Sequence, residues 1–257
     1  MPRKTFGPYA FELTHPDKAL YPARESDPAV TKAELCDFYR RIAPRLLPHA
    51  GNRPLTLRRF PDGLDAGGFF QQRAQDYFPD WIATVAVPTA DKGPAEHAVL
   101  SRAADLAYMA QLAVLEVHAW LSRADDPERP DTLVLDLDPP KGAGDEGFAA
   151  VRRAALHARE LLEELGLAVY AKATGSSGLH VLCPIRPGPG FDEARGFMQD
   201  VAALLAERRP EDCTTEQRIA ERGGRVYLDT ARNSFGQTIV APYSPRAVAV
   251  PTGGAPL

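Results

Sequence analysis

The chain has 257 residues, and its 44% hydrophobic and 25% charged content is ordinary for a globular protein. It contains no run near the ~20 apolar residues of a membrane span, and residues 1–5 lack the apolar segment of a signal peptide. Three dispersed cysteines, Cys36, Cys183 and Cys213, exclude a disulfide framework or a paired-cysteine metal site and favour a reducing cytoplasm.

The net charge of −4 is unevenly distributed along the chain. Residues 1–60 contain eleven Lys or Arg and six Asp or Glu, a balance of +5, which leaves −9 for the remainder. A basic part joined to an acidic part suits a protein that holds a polyanion with one region and metal ions with another. A chance fluctuation would give the same counts.

The first predicted helix begins at residue 31. Residues 1–30 are rich in proline and polar turns, which predicts irregular chain. Thr31 and Glu34 have the spacing of a capping box, and the helix is expected to break near Pro44. Lys32 lies in the first turn, where the helix dipole disfavours a cation, so it is either a solvated lysine or a phosphate contact.

Further apolar patterns predict strands at 54–60 and 81–87 and a helix at 103–117. Between the strands, Phe69 and Phe70 follow two glycines. The pair is either part of the core or a stacking platform for a base, since one of two neighbours in a strand faces outward.

The second half alternates strands and helices more sharply. Strands are predicted at 132–138, 167–172, 179–185, 225–229 and 237–241, and helices at 146–165 and 191–207. This βαββαββ order predicts a split βαβ plan of the ferredoxin-like or RNA-recognition-motif-like kind.

Two carboxylates end the first strand of that plan. Asp136 and Asp138 project from one face, with Cα atoms roughly 6.6 Å apart, and repel by ~2–3 kcal/mol at an effective dielectric near 20. A divalent cation would relieve this repulsion, and Asp229 at the end of a later strand favours a two-cation site for phosphoryl transfer. A solvated strand end with two acids is the alternative for an isolated pair.

A turn of small residues at 174–178 precedes His180. Its backbone N–H groups and hydroxyls would suit a phosphate, although a plain hairpin loop has the same composition. His180 is either a core histidine or part of that site.

Three motifs resemble a known family. Residues 135–139 (Leu-Asp-Leu-Asp-Pro), 175–180 (Gly-Ser-Ser-Gly-Leu-His) and 226–229 (Val-Tyr-Leu-Asp) resemble those of the archaeo-eukaryotic primase superfamily. More narrowly, the chain resembles the polymerase domain of bacterial ATP-dependent DNA ligase D, which acts in non-homologous end joining. The resemblance continues, in the family's order, through residues 13–18, 53–57, 68–71, 116–118, 232–233 and 241–246.

The resemblance implies an α+β primase-polymerase fold in a single domain, 1–257. Residues 1–115 would form an N-terminal α/β subdomain that binds DNA and its 5′ phosphate, and 116–257 an RNA-recognition-motif-like βαββαβ catalytic subdomain. The implied activity is template-dependent addition of NTPs or dNTPs to DNA 3′ ends at gaps and double-strand breaks. Implied partners are DNA with gaps, overhangs or 5′-phosphate ends, a Ku-like protein and a ligase module, in the bacterial cytoplasm at the nucleoid and away from membranes.

The same resemblance implies roles for individual residues. The catalytic residues, which would bind two Mn²⁺ (or Mg²⁺) ions, are Asp136, Asp138 and Asp229. The nucleotide-binding residues would be His118, Lys172, Thr174, Ser176, His180, Arg232 and Arg246. The DNA-binding residues would be Lys18, Lys32, Arg58, Phe69 and Phe70, the lysines on the 5′ phosphate and the phenylalanines on the template.

Three positions depart from the family pattern. Thr174 stands where the family usually has Ser, and Gln72 where it usually has Lys. Ser177 stands where a lysine is expected near the triphosphate, and Lys172 is the candidate replacement.

Other functions remain open at this point. A stand-alone primase-polymerase would start chains de novo, which activity on an unprimed template would reveal. A non-catalytic DNA-end-binding module would not need Asp136, Asp138 and Asp229. A nucleotide-sugar transferase with an Asp-x-Asp metal site would not need the basic and aromatic N-terminal residues.

Overall fold

The computed structural model describes residues 2–25, 27–89 and 93–248, which divide into two compact units. The first unit contains residues up to Trp120 together with the segment from Thr238, and the second unit is Leu121–Gln237. The expected division near residue 115 therefore falls slightly later, and the chain returns to the first unit near its end. That the two units form a single domain stays a prediction.

The described residues contain seventeen strands and four helices. The strands are β1 (Arg3–Phe6), β2 (Tyr9–Glu12), β3 (Ala19–Tyr21), β4 (Val30–Thr31), β5 (Leu55–Arg59), β6 (Phe69–Gln71), β7 (Ala83–Val87), β8 (Ala95–Val99), β9 (Val114–Trp120), β10 (Ser122–Arg123), β11 (Asp126–Pro130), β12 (Thr132–Asp138), β13 (Tyr170–Ala173), β14 (Leu179–Pro184), β15 (Cys213–Thr214), β16 (Val226–Asp229) and β17 (Thr238–Val240). The helices are α1 (Lys32–Ala50), α2 (Ala103–Gln111), α3 (Gly144–Glu164) and α4 (Phe191–Arg208).

The prediction that residues 1–30 are irregular is wrong. Strands β1 and β2 form a hairpin, and β3 pairs with β4. Leu13 and Leu20 are fully buried in the core of the first unit. The prolines separate strands that are too short for an alternation of apolar residues to be visible in the sequence.

Helix α1 starts as predicted and continues further than predicted. Thr31 and Glu34 form both hydrogen bonds of the capping box. The break expected near Pro44 is absent, since α1 runs through that residue to Ala50. A proline inside a helix costs one hydrogen bond, and the fully buried Tyr39 and Leu46 indicate that packing of the apolar face offsets that loss.

The helix predicted at 103–117 is two elements. Helix α2 ends at Gln111, Ala113 has a φ of +54°, and the chain continues as strand β9. A short apolar run cannot be assigned to helix or strand from periodicity alone, and here pairing with β5 decides for a strand. Consequently Glu116 and His118, two residues apart, share one face of the sheet.

The first unit is built on the antiparallel sheet β17-β9-β5-β6. Leu57 and Val117 face the core with the helices α1 and α2. On the other face Phe70, Arg58 and Glu116 are direct neighbours across three strands. This in-register row places an aromatic ring, a cation and an anion side by side.

The second unit is built on the sheet β13-β14-β12-β16-β15. Helix α3 joins β12 to β13, and β14 lies between these two strands, antiparallel to both. Helix α4 leads from β14 towards β16, and β12 lies between them, antiparallel to both. This is the predicted split βαβ arrangement, with β15 added at one edge. The strand predicted at 237–241 is present as β17 but pairs with β9 in the first unit.

Alternation along β12 separates its two faces. Leu135 and Leu137 are fully buried in a core that also contains Val151 of α3 and Met198 of α4. Since neighbouring side chains in a strand point to opposite faces, Asp136 and Asp138 lie on the face away from that core.

Asn233 takes the place of a strand residue beside β12. Strand β16 ends at Asp229, but the buried Asn233 side chain continues the pairing. Its Oδ1 accepts from the N–H of Val134 at 2.9 Å, and its Nδ2 donates to the carbonyl oxygens of Val134 at 2.7 Å and Thr230 at 2.9 Å. The backbone of β12 is thereby fixed two residues before Asp136.

We predict that Asn233→Ala lowers the free energy of unfolding by about 2–4 kcal/mol, because two backbone groups of Val134 lose their partner at ~1–3 kcal/mol each. Urea unfolding measures the loss, and hydrogen exchange should show faster exchange of the Val134 amide. Arg129→Ala, which removes an exposed ion pair with Asp126, is the control and should change stability by less than ~0.5 kcal/mol. Unchanged exchange at Val134 would contradict the role assigned to Asn233.

Candidate functional site

Four polar side chains form a row across the sheet of the second unit. Lys172 of β13 is paired with His180 of β14, which is paired with Asp136 of β12, which is paired with Asp229 of β16. Directly paired residues lie on the same face with Cβ atoms ~4.5–5.5 Å apart, so the row runs from a cation through an imidazole to two carboxylates.

Asp136 is the best compensated carboxylate of this row. Its Oδ1 lies 3.5 Å from Nε2 of His180, and its Oδ2 lies 3.9 Å from Nε of Arg232. Burial raises the pKa of Asp136, but the hydrogen bond from His180 and the charges of Arg232 and Lys172 outweigh burial and leave the pKa below its ordinary value. Asp136 is therefore ionised at neutral pH.

Asp138 has the opposite balance. Burial and the negative charges of Asp136 and Asp229 raise the pKa of Asp138 to about 6, and Arg222 and Arg232 only partly counter them. The three acids are thus close enough to repel one another. Repulsion of this kind favours the binding of a proton or a cation.

The oxygen donors of Asp136, Asp138 and Asp229 are of the type that Mg²⁺ and Mn²⁺ prefer. As the side chains stand, no three His, Cys, Asp or Glu residues in the described part of the chain converge tightly enough to hold an ion. The carboxylates nevertheless share a face, and Asp136 and Asp229 are directly opposed.

The turn after β13 is closed by a hydroxyl. Thr174 Oγ1 donates to the carbonyl oxygen of Gly178 at 3.0 Å and accepts from the N–H groups of Ser176 at 3.4 Å and Gly178 at 3.3 Å. Gly178 is required sterically, since a Cβ there would lie 2.4 Å from the carbonyl oxygen of Leu137. The turn therefore packs directly against β12 at Leu137, the residue between Asp136 and Asp138.

Glu116 anchors the polar face of the first unit. Its side chain is 1% exposed, and its Oε2 accepts from His118 at 3.0 Å and from Arg58 at 3.2 Å. Its Oε1 accepts from the N–H of Ala247 at 2.8 Å and lies 3.5 Å from Nε of Arg246. Burial raises the pKa of Glu116, but these hydrogen bonds and the Arg246 charge outweigh burial and lower the pKa to about 2.

An exposed aromatic pair adjoins this anchor. Phe69 and Phe70 are 48% and 59% exposed, so both are available to a ligand, where the sequence predicted one. The guanidinium of Arg58 lies 5.5 Å from the centre of the Phe70 ring, and that of Arg59 lies 5.5 Å from the Phe69 ring. The Phe70 ring also meets His118 edge-on at 5.5 Å. The core interpretation of the pair is therefore wrong.

A small cationic cavity of about 100 Å³ lies elsewhere in the first unit, lined in part by His15, Lys18, Lys32, Arg59 and Gln111. Burial and the charges of Lys18 and Arg59 lower the pKa of Lys32 to about 8. The positive charges that lower the pKa of Lys32 favour an anion in this cavity, and the volume suits a group of phosphate size. The solvated interpretation of Lys32 is wrong, since its side chain is buried.

A family model described as "LigD, primase-polymerase domain" matches residues 31–257. The chain belongs to this family. The resemblance stated from the motifs is thereby confirmed.

Individual relatives agree with this assignment. LigD of Mycolicibacterium smegmatis, described as a multifunctional non-homologous end joining protein, is 34% identical over 261 residues, which cover 100% of this chain and 33% of the relative. The bifunctional non-homologous end joining protein LigD of Bacillus subtilis is 31% identical over 247 residues, or 96% of this chain and 38% of the relative. The chain therefore spans about a third of the length of these curated relatives.

A solved structure matches at the level of the fold. The polymerase domain of Mycobacterium tuberculosis ligase D in complex with DNA superimposes with a TM-score of 0.85 at 32% identity, covering 96% of this chain and 86% of that one. The predicted α+β primase-polymerase fold is thereby confirmed. None of the described helices combines the length and apolar character that a membrane crossing needs.

The predicted site residues of this LigD-family chain fall into two groups. The second unit holds Asp136, Asp138, Lys172, Thr174, Ser176, His180, Asp229 and Arg232. The first unit holds Lys18, Lys32, Arg58, Phe69, Phe70, His118 and Arg246. Within each unit, the contacts described above bring several of these residues together. The functional role of each residue stays a prediction.

Sequence reasoning assigned no role to Glu116, Asn233 or Arg59, although residues 116–118 and 232–233 belong to the blocks that resemble the family. Glu116 was hidden by the helix predicted at 103–117, because only in a strand do Glu116 and His118 share a face. Asn233 follows a strand and carries no pattern of its own. The only sequence signal for Arg59 is that it follows Arg58 in a predicted strand, shortly before the two phenylalanines Phe69 and Phe70.

We predict that Glu116→Gln lowers the free energy of unfolding at pH 7 by up to about 3 kcal/mol. Folding lowers the pKa of this carboxyl from 4.5 to about 2, so its contribution is complete above pH 4.5 and is lost as pH falls towards 2. Urea unfolding at pH 7, 4 and 3 measures it. The difference between wild type and variant should shrink on acidification, whereas the exposed control Glu12→Gln should show no such trend. A difference that is independent of pH would contradict the ionised, paired state of Glu116.

Proposed function

We propose that the chain is a template-dependent nucleotidyltransferase of DNA repair that adds NTPs or dNTPs to DNA 3′ ends at gaps and double-strand breaks. One observation carries the proposal, namely the mutually repelling carboxylates of Asp136, Asp138 and Asp229 on one face of the second-unit sheet. Family membership supports it, since the matched solved structure is a polymerase domain in complex with DNA.

The three carboxylates would hold two divalent cations, with Mn²⁺ preferred and Mg²⁺ as the alternative. The fit rests on their oxygen donors and on the charge that leaves the pKa of Asp138 near 6. When bound, the cations would activate the primer 3′ hydroxyl and stabilise the leaving pyrophosphate. The chain's own part is to hold three acids at fixed positions on two paired strands.

Neighbouring residues would bind the triphosphate. Burial lowers the pKa of His180, which keeps the imidazole neutral, and its buried Nδ1 has no hydrogen-bond partner among the described residues. Because Nε2 donates to Asp136, this nitrogen would donate to a phosphate oxygen only from the protonated imidazole, a form that the negative charge of a bound phosphate would favour. Lys172 stands in register with His180 and supplies the positive charge that Ser177 lacks. Thr174, Ser176 and Arg232 would complete this side of the site.

The first unit would bind the DNA. Lys18 and Lys32 would take the 5′ phosphate at the far side of a gap, and Phe69 and Phe70 would stack on the template. His118 and Arg246 would contact the nucleotide, and Arg58, which shares their partner Glu116, would contact the DNA. A phosphate cavity favours gap filling over de novo chain initiation, since an unprimed template offers no gap phosphate. The same proposal includes a Ku-like end-binding protein and a ligase module as partners, and a location at the nucleoid in the bacterial cytoplasm.

We predict that Asp136→Ala abolishes primer extension, by more than roughly 100-fold, because even supporting groups of a metal site cost ~10–100-fold when removed. Extension of a 5′-phosphorylated gapped duplex, with NTP or dNTP and Mn²⁺ or Mg²⁺, measures the loss. DNA affinity should stay within about threefold of wild type. Asp145→Ala, at an exposed acid in the first turn of α3, is the matched control. Extension by Asp136→Ala at the wild-type rate would sink the mechanism.

We predict that Lys18→Ala weakens binding of 5′-phosphorylated gaps roughly tenfold, because a hydrogen bond to a charged group contributes ~1.5 kcal/mol or more. Binding of the same gap with a 5′ hydroxyl should change little. Fluorescence anisotropy on both substrates measures the difference, with the exposed Arg45→Ala as a control for general loss of positive charge. Equal losses on both substrates would count against a specific phosphate cavity.

A further inference from the structure

A groove of about 490 Å³ lies on the first unit beside β6. Eight described residues line it, namely Arg59, Phe69, Phe70, Gln71, Gln72, Arg73, Gln75 and Tyr77. The volume lies within the ~300–1,000 Å³ of small-molecule sites. The lining combines three aromatic rings, two guanidinium groups and three amides, and none of these eight residues carries a carboxylate.

Tyr77 is the aromatic residue of this groove that the proposed Phe69–Phe70 template platform does not use. Tyr77 is 54% exposed. It is nevertheless held in place, since its ring contacts that of the buried Phe78 at 5.5 Å and its carbonyl oxygen accepts from the Tyr108 hydroxyl at 3.3 Å. An anchored but exposed ring is suited to receive a ligand.

Arg59 links Tyr77 to the first platform ring. Its guanidinium lies 5.5 Å from the centre of Phe69 and 6.0 Å from the centre of Tyr77. Its Nη1 donates to the Tyr77 hydroxyl at 2.6 Å and to Oε1 of Gln71 at 2.7 Å, and its Nε donates to the carbonyl oxygen of Leu112 at 2.8 Å. These acceptors are neutral, so the positive charge between the two rings is retained.

We propose that Tyr77 is a second stacking position for an unpaired nucleotide, next to the Phe69–Phe70 platform. Exposed aromatic rings in a positively charged groove bind single strands by stacking on the bases. Arg59 and Arg73 provide charge for the phosphates, and the glutamines provide donors and acceptors for any base edge. The groove therefore takes a single-stranded template segment without selecting its sequence. This inference rests on the proposed function.

The test compares template gaps of different lengths. A one-nucleotide gap has a single unpaired template base, which the Phe69–Phe70 platform would take. In gaps of two to five nucleotides a further unpaired base is available to Tyr77. Wild-type affinity, measured by fluorescence anisotropy at fixed salt, should rise with gap length. We predict that Tyr77→Ser lowers the affinity for the longer gaps about tenfold. Its affinity for the one-nucleotide gap should stay within about twofold of wild type.

An abasic template separates stacking from a structural role. One abasic nucleotide, which keeps the phosphate and removes the base, is moved along a five-nucleotide gap. In the wild type two positions should be sensitive, and in Tyr77→Ser the second should lose its sensitivity. Tyr77→Phe keeps the ring without the hydroxyl bonded to Arg59 and should restore binding to within about threefold. Phe148→Ser, at an exposed aromatic residue of the second unit, is the matched control.

The outcomes distinguish this inference from the proposed function. Suppose that the wild-type protein extends one-nucleotide gaps but only one abasic position lowers its affinity. That result would overturn the role of Tyr77 and leave the proposed function intact. The same conclusion follows if Tyr77→Ser keeps the full gain with gap length. The abasic scan on the wild type also decides the question if Tyr77→Ser fails to fold. Absence of extension on every gap would overturn the proposed function instead.

Discussion

The direct pairing of Asp136 with Asp229 across two antiparallel strands is the constraint on which the second unit depends. Like charges placed directly opposite each other destabilise a sheet, and Asp138 adds a third. His180 and Arg232 compensate Asp136. The rest of the unit holds the strand in place: its other face is buried under two helices, and the side chain of Asn233 completes the pairing at Val134. The fold therefore maintains a concentration of negative charge that is favourable only with a counter-charge.

The first unit shows what full compensation looks like. Glu116 is more deeply buried than Asp138, yet its pKa falls to about 2 while that of Asp138 rises to about 6. The difference lies in the neighbours, because Glu116 meets His118 and Arg246, whereas Asp138 meets two other carboxylates. An acid that is paired with positive charges stabilises the fold around it. An acid that faces other acids favours the binding of a proton or a cation. The two sheets thus each carry acids on a polar face, and the neighbouring charges decide whether such an acid is paired or left repelling others.

Prediction from sequence succeeded where a local pattern and the tertiary fold agree. The alternation of strands and helices after residue 131 is regular, and the structure has those elements with small shifts at their ends. It failed where short apolar runs depend on distant pairing. The segment 114–117 lies in a predicted helix but pairs as part of β9, and the segment at 238–240 follows the second-unit sheet in sequence but joins the first-unit sheet. In both cases the partner strand, rather than the segment's own residues, decided the structure.

The sequence by itself determined the family, through ordered motifs, and the carboxylates of Asp136 and Asp138 on one strand face, since alternation in a strand is a local property. Only the tertiary structure decided which residues surround them. The opposition of Asp136 and Asp229, the contact of Arg246 with the buried Glu116 and the placement of Arg59 between Phe69 and Tyr77 all depend on the tertiary fold. Strand register and core packing fix such contacts, and neither can be read from the spacing of residues along the chain.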